Sequence, residues 1–209
     1  MMKYEAIVLG DLGTNCYLIW DEDGKDGMVI DPGDDGQGIS EEIQSRQINM
    51  KGVLLTHGHF DHSMAALDLK LIYQVPIYAS EQDLFILNRQ EKSAKHFLKR
   101  KIAVPNFKID KNLDDIKKIK FGKETLEVIK TPGHTPGSVC FYSKENNLLF
   151  SGDTLFSEDR GRTDFSYGST KKIFESLEKL MKLPEDTLVL PGHEETTIIR
   201  REKPRYKFN

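Results

Sequence analysis

Five of the six histidines lie beside glycine, proline or an acid, in three short runs. The first run is Thr56-His57-Gly58-His59-Phe60-Asp61-His62. The second is Thr131-Pro132-Gly133-His134-Thr135-Pro136-Gly137-Ser138, and the third is Pro191-Gly192-His193. Residues two apart in extended backbone point the same way, so His57 and His59 can reach one cation across the side-chain-free Gly58. Asp61 and His62 follow where the chain turns into a helix, which redirects them toward a second cation. Neutral imidazole and carboxylate together suit zinc, iron or manganese. A helix N-terminus also disfavours a charged imidazole, and ligation needs the neutral form. Two metals in one site commonly share an anion, and two acids stand ready: Asp153 in Ser151-Gly152-Asp153-Thr154 and Asp31 in Ile30-Asp31-Pro32-Gly33. One would bridge and the other orient a ligand histidine from behind; spacing leaves open which. His96 has no such neighbours and is read as a surface histidine.

These runs follow strand ends. Period and punctuation predict strands over 4–9, 16–20, 28–30, 53–55, 76–79, 125–130, 138–143, 147–150 and 187–190. Ligand sites in α/β proteins favour the carboxyl ends of strands, so three histidine runs at three such ends imply one shared site. Ser40 is placed to cap a helix to about 47, and a second helix is expected over 62–73. Ser80 with Asp83 reads as a capping box. Ser169 should cap a helix whose apolar stripe is Ile173, Phe174, Leu177, Leu180 and Met181. Spacing alone supports a layered α/β protein with mixed sheets.

Composition narrows the class. The 209 residues suit a single domain over 1–209, and 38% hydrophobic content is enough for a core. A net charge of −3 excludes a globally basic nucleic-acid coat. Cys16 and Cys140 form neither a disulfide framework nor a metal knuckle and are read as core residues. No basic region followed by an apolar run opens the chain, and no stretch approaches the roughly 20 apolar residues that span a bilayer. A cytoplasmic protein with no membrane or nucleic-acid partner, monomeric or homodimeric, is therefore expected. One segment departs from the balance. Residues 88–123 hold twelve Lys or Arg against four acids, a net +8. It is either a solvated helical insertion or an electropositive wall that gathers an anionic substrate.

Taken together, T-H-G-H-F-D-H (56–62), T-P-G-H-T-P-G-S (131–138), S-G-D-T (151–154), G-R-T-D-F (161–165) and P-G-H (191–193) resemble the metallo-β-lactamase superfamily, and within it the short, single-domain glyoxalase II-like hydrolases. The resemblance implies a four-layer αββα sandwich of two mixed sheets. It assigns His57, His59 and His134 to one metal, Asp61, His62 and His193 to the other, and Asp153 to the bridge, which makes Asp31 the orienting acid. Arg162 lies where the family places a basic residue that contacts glutathione. The implied cofactor is a pair of divalent ions, zinc first and iron or manganese next. The implied substrate is a small thioester, S-D-lactoylglutathione or a similar hydroxyacyl thioester. Two cations lower the pKa of a shared water, so hydroxide can attack the carbonyl, with Asp61 and Asp153 as the acids closest to the chemistry. The larger glyoxalase II enzymes carry a further helical domain and a tyrosine where Glu195 stands; with 16 residues after His193, that domain is expected to be absent.

Two other chemistries share these motifs. A mononuclear-iron persulfide dioxygenase would use only the residues matching His57, His134 and Asp153. A phosphodiesterase or lactonase of the same superfamily is a further alternative; phosphodiesterases there usually carry further domains or motifs, for which 209 residues leave little room.

Overall fold

The computed structural model describes residues 1–100 and 102–206. Alternation along the strands decides its layering. On β2 (Thr14–Asp21), Cys16 and Leu18 face one apolar layer, and Tyr17 and Ile19 face another. On β9 (Val139–Ser143), Val139 and Phe141 share the second layer, while Cys140 and Tyr142 face a third. Both strands are thus apolar on both faces, and each must be covered twice.

Two six-stranded sheets result. The first runs in order through β1 (Met2–Leu9), β2, β3 (Asp26–Ile30), β4 (Asn49–Leu54), β5 (Ile77–Ala79) and β6 (Lys111–Asn112). Its first three strands are antiparallel and its last four parallel. The second sheet comprises β7 (Lys118–Phe121), β8 (Glu124–Lys130), β9, β10 (Leu148–Gly152), β11 (Leu188–Pro191) and β12 (Thr197–Ile198). Only β10 and β11 pair in parallel there. Ile39 and Ile43 of α1 (Gly36–Ser45) and Leu69 of α2 (Ala66–Tyr73) cover the first sheet. Ile173, Leu177 and Leu180 of α5 (Thr170–Leu180) and Ile199 of α6 (Ile199–Glu202) cover the second. The αββα sandwich is therefore present.

The strands that end at the histidine runs all finish at one edge of this sandwich, where the sheets are latched. Asn15 N–H donates to Gly192 O at 2.7 Å, and the Tyr17 hydroxyl donates to Pro191 O at 2.7 Å. Val139 N–H donates to Thr56 O at 2.8 Å.

Three local readings change. Helix α1 begins at Gly36, because the Asp35 carboxylate caps it by accepting the Gly38 N–H at 3.0 Å; Ser40 lies inside the helix against the Tyr73 hydroxyl at 2.7 Å. The helix expected from 62 begins only at Ala66, after a tight 3-10 turn Phe60–His62. Ser80 does cap a turn, accepting Gln82 N–H at 3.2 Å, before the short α3 (Leu84–Leu87). Asp83 completes no capping box and is turned inward. Ser169 caps α5 as expected, accepting Lys172 N–H at 3.3 Å. The basic segment is helical only over α4 (Gln90–Leu98); further along it supplies β6 and β7, and Lys101 lies outside the described residues.

Phe150 shows how closely the sheets pack. It is fully buried and meets Tyr17 edge-on at 5.2 Å between centroids. Phe150→Ala should cost about 3–5 kcal/mol of folding stability, read as a shift in urea midpoint. A loss below about 1 kcal/mol would mean that the layer can collapse around the void.

Candidate metal centre

Each candidate donor leaves the end of a strand or the turn after it. His57 and His59 follow β4, His134 follows β8, Asp153 follows β10 and His193 follows β11; Asp61 and His62 lie in the 3-10 turn. Gly33 explains part of the tight fit. A Cβ there would collide with the carbonyl oxygen of Asp61, so only glycine lets the 31–33 loop pass beneath the turn. Asp83 joins two of the histidine loops. Its buried carboxylate accepts from Gly58 N–H at 2.9 Å, Gly137 N–H at 2.7 Å and the Thr135 hydroxyl at 2.6 Å.

The donors fall into two groups with Asp153 between them. His57 Nε2 is 2.9 Å from His59 Nδ1, which is 3.0 Å from His134 Nε2. Asp153 Oδ2 is 3.5 Å from His134 Nε2 and 4.0 Å from His57 Nε2. In the other group, His62 Nε2 and His193 Nε2 are 3.2 Å apart, and Asp61 Oδ2 lies 3.7 and 3.4 Å from them. Asp153 Oδ1 lies 3.5 Å from His62 Nε2. Ligands at 2.0–2.1 Å from a tetrahedral zinc are about 3.3 Å from one another, so both groups are at ligand spacing.

Outer hydrogen bonds fix which nitrogen faces inward. A carboxylate or carbonyl can only accept. His62 Nδ1 therefore donates to Asp31 at 2.9 Å, His134 Nδ1 to Arg162 O at 2.8 Å and His193 Nδ1 to Leu12 O at 3.2 Å. The Thr56 hydroxyl gives its proton to Asp31 at 2.5 Å and so accepts from His57 Nδ1 at 3.0 Å. His59 is turned the other way. Its Nε2 meets the Tyr167 hydroxyl at 2.9 Å, leaving Nδ1 inward. Inward nitrogens less than about 3.2 Å apart then oppose lone pair to lone pair, which only a cation or a proton between them relieves. Asp153 Oδ1 is buried and, among the described residues, has no hydrogen-bond partner. An orphaned carboxylate oxygen among imidazole lone pairs fits a cation centre.

The electrostatics agree. Burial pushes His57 well below its ordinary value and His59 down to about 3, so both are neutral donors at pH 7. Burial also opposes a charge on His62, but the carboxylates of Asp153, Asp61 and Asp31 outweigh it and push that histidine up to about 10. Burial would raise Asp61, yet His62 and His193 hold it below the usual carboxylate range. The floor of this site attracts positive charge, and a proton on His62 supplies it when no cation does.

All seven donor residues named from the sequence thus converge, and Asp31 sits behind His62. It is buried, with φ of 51° in the left-handed region that an aspartate tolerates better than most residues. Arg162 lines the cleft above the donors, but Asp164 holds its guanidinium at 2.7 and 2.6 Å. His96 is exposed and outside the cluster. Thr56, Asp83 and Tyr167 went unnoticed as parts of the site. Asp83 carried a misleading cap signal, and Tyr167, two residues past Phe165, carried none.

The chain matches the family model described as the metallo-beta-lactamase superfamily over residues 9–193. It is 36% identical to hydroxyacylglutathione hydrolase GloC of Haemophilus influenzae over 99% of this chain and 98% of that one. Among solved structures, BLEG-1, described as a B3 metallo-beta-lactamase, superposes with a TM-score of 0.90 at 32% identity, covering 99% of each chain. TTHA1623 in a di-iron-bound form superposes with a TM-score of 0.86 at 33% identity, covering 97% of this chain and 98% of that one.

Two outcomes follow from the outer hydrogen bonds and the charge balance. Asp31→Asn can no longer accept from both Thr56 and His62 as a carboxylate does, and should weaken zinc binding about 10- to 100-fold, measured by competition with a chromophoric chelator; unchanged affinity would remove Asp31 from the site. Because the free site holds a proton on His62 that ligation displaces, zinc affinity should rise with pH between about 6 and 9, by up to about tenfold per unit for one proton. A flat profile would mean that His62 enters already neutral.

Proposed function

The chain belongs to the metallo-β-lactamase superfamily, and on that premise we propose that it is a metal-dependent thioester hydrolase acting on S-D-lactoylglutathione or a close hydroxyacyl analogue. The observation that carries the reading is the convergence of seven donors, five of them lining a cleft of about 340 Å³ and His57 and His62 buried beneath it. The similarity to a hydroxyacylglutathione hydrolase along nearly the whole chain supports the substrate class. His57, His59 and His134 would hold one divalent ion, Asp61, His62 and His193 the other, with Asp153 between them. The nitrogen and oxygen donor set favours zinc, and the di-iron-bound relative makes iron the alternative occupant.

When bound, two such ions supply a water of lowered pKa and a Lewis acid for the carbonyl oxygen. The chain's own residues do the rest. Phe60, Phe97, Phe165 and Tyr167 wall the cleft and exclude water from the acyl group. Asp61, its side chain 15% exposed and held ionised by His62 and His193, is placed to accept a hydrogen bond from the water and orient it. Hydrolysis adds water across the C–S bond and yields a carboxylate and a thiol. A free thiol has a pKa near 8.5, so the thiolate leaves without a strong acid beside it.

The likeness to BLEG-1 favours cyclic-amide hydrolysis as a second reading. That reaction expels an amine that must gain a proton, and the one neutral acid of the cleft lining is the Tyr167 phenol, pushed up to about 12 by burial and therefore a weak proton donor. A single-iron dioxygenase would leave His59, Asp61, His62 and His193 without a purpose.

The test pairs metal analysis with thiol release. The protein should hold about two divalent ions per chain and release thiol from S-D-lactoylglutathione, with little turnover of nitrocefin. Asp153→Asn should lower kcat by more than about 100-fold, since even the outer partners of metal ligands cost up to that. A metal-replete protein that releases no thiol would sink the proposal, and one iron per chain with thiol-dependent oxygen uptake would replace it with the dioxygenase.

A further inference from the structure

Helix α4 carries a stripe at helical spacing that faces the substrate side of the molecule: Arg89 at its N-cap, then Lys92 and Ser93, then His96 and Phe97. These residues wall a second cavity of about 270 Å³. Phe85 and Tyr167 form its other side. Ser93, Phe97 and Tyr167 also line the metal cleft, so the two cavities share a wall and the second is an annexe of the first.

The annexe differs from the cleft in charge. No acid is among its lining residues. Arg89 and Lys92 are exposed, and among the described residues neither has an ion-pair partner. Arg162 in the cleft is the opposite case. Its fork is filled by Asp164, and it lies 4.5 Å over the Phe165 ring. The cations free to meet an anionic substrate are therefore those of the annexe. Lys95 and Lys99, on the same segment, do not line it, and Arg100 is engaged with Asp11 at 3.1 Å.

We infer that the annexe is the seat of the thiol carrier, and that Arg89 and Lys92 bind carboxylates of that carrier while the acyl group lies on the metal floor. The inference rests on the thioester reading above. The aromatic ridge of Phe85, Tyr167 and Phe165, with centroids 5.5 and 5.4 Å apart, would carry the aliphatic part of the carrier from one cavity to the other. A guanidinium matches a carboxylate bidentately, and a lysine beside it adds a second positive point. The ligand class is thus a small peptide-like thiol with free carboxylates.

The experiment compares two thioesters on the wild type and on the double variant Arg89→Glu/Lys92→Glu. One is S-D-lactoylglutathione, whose carrier bears carboxylates; the other is the lactoyl thioester of N-acetylcysteamine, which is neutral. The double variant should raise KM for lactoylglutathione by about tenfold or more, a size expected for two exposed ion pairs converted to repulsions. Its kcat and metal content should stay within about twofold, as should kcat/KM for the neutral thioester. An unchanged KM for lactoylglutathione overturns the inference. If the wild type hydrolyses neither thioester, the proposed function fails on its own account. The annexe is then read by calorimetric titration of the zinc-loaded proteins with S-methylglutathione: binding about tenfold weaker in the double variant supports it, and equal binding overturns it.

Discussion

Five imidazoles and two carboxylates share a space in which neighbouring inward atoms are 2.9–4.0 Å apart. Their outer nitrogens are committed to fixed hydrogen-bond partners, so the inner nitrogens cannot turn away. Arranged in this way the side chains repel one another or compete for protons, and folding alone gains nothing from bringing them together. A cation at each focus reverses that sign, because the same lone pairs then point at positive charge. Binding free energy at such a site adds to folding free energy. The centre is therefore costly when empty and stabilising when filled, and the surrounding structure has to withstand the first condition to exploit the second.

That resistance comes from the two sheets. Parallel strands in each sheet end at the same edge, so side chains that are far apart in sequence arrive there together. The latches at Asn15, Tyr17 and Val139 cross between sheets at that edge, next to the donors. Asp83 ties the loop of His57 to the loop of His134 through three hydrogen bonds that its buried carboxylate accepts, each stronger than one to a neutral acceptor. Asp31 accepts both the left-handed backbone and complete burial to serve His62 and Thr56 at once. Strain of this kind persists only where neighbours over-determine it.

The cluster of candidate donors was legible because metal ligation demands residue types that few structural roles use together, and because strand ends confine them to short runs. Their partners were not. Tyr167 meets His59 across 108 residues of sequence, and Asp83 meets Thr135 across 52. Neither relation leaves a local period. Asp83 was also eclipsed by a plausible local use, since an acid three residues after a serine commonly closes a cap. The sandwich was only partly readable. Spacing reached mixed α/β, while the four layers came from the resemblance. Two-residue strands such as β6 and β12 have no periodicity to detect, and the glycines of α1 concealed its true start.

The basic segment shows where charge counting stops and geometry takes over. A net +8 over 88–123 does not say which cations meet a ligand. In the fold, part of that charge lies along β6 and β7, away from the cleft. Arg100 is spent on Asp11, and only one stripe of α4 borders the cleft wall. The distribution separates two features: the strand ends hold the candidate metal donors, and the unpaired cations beside the cleft lie on a short helix outside both sheets.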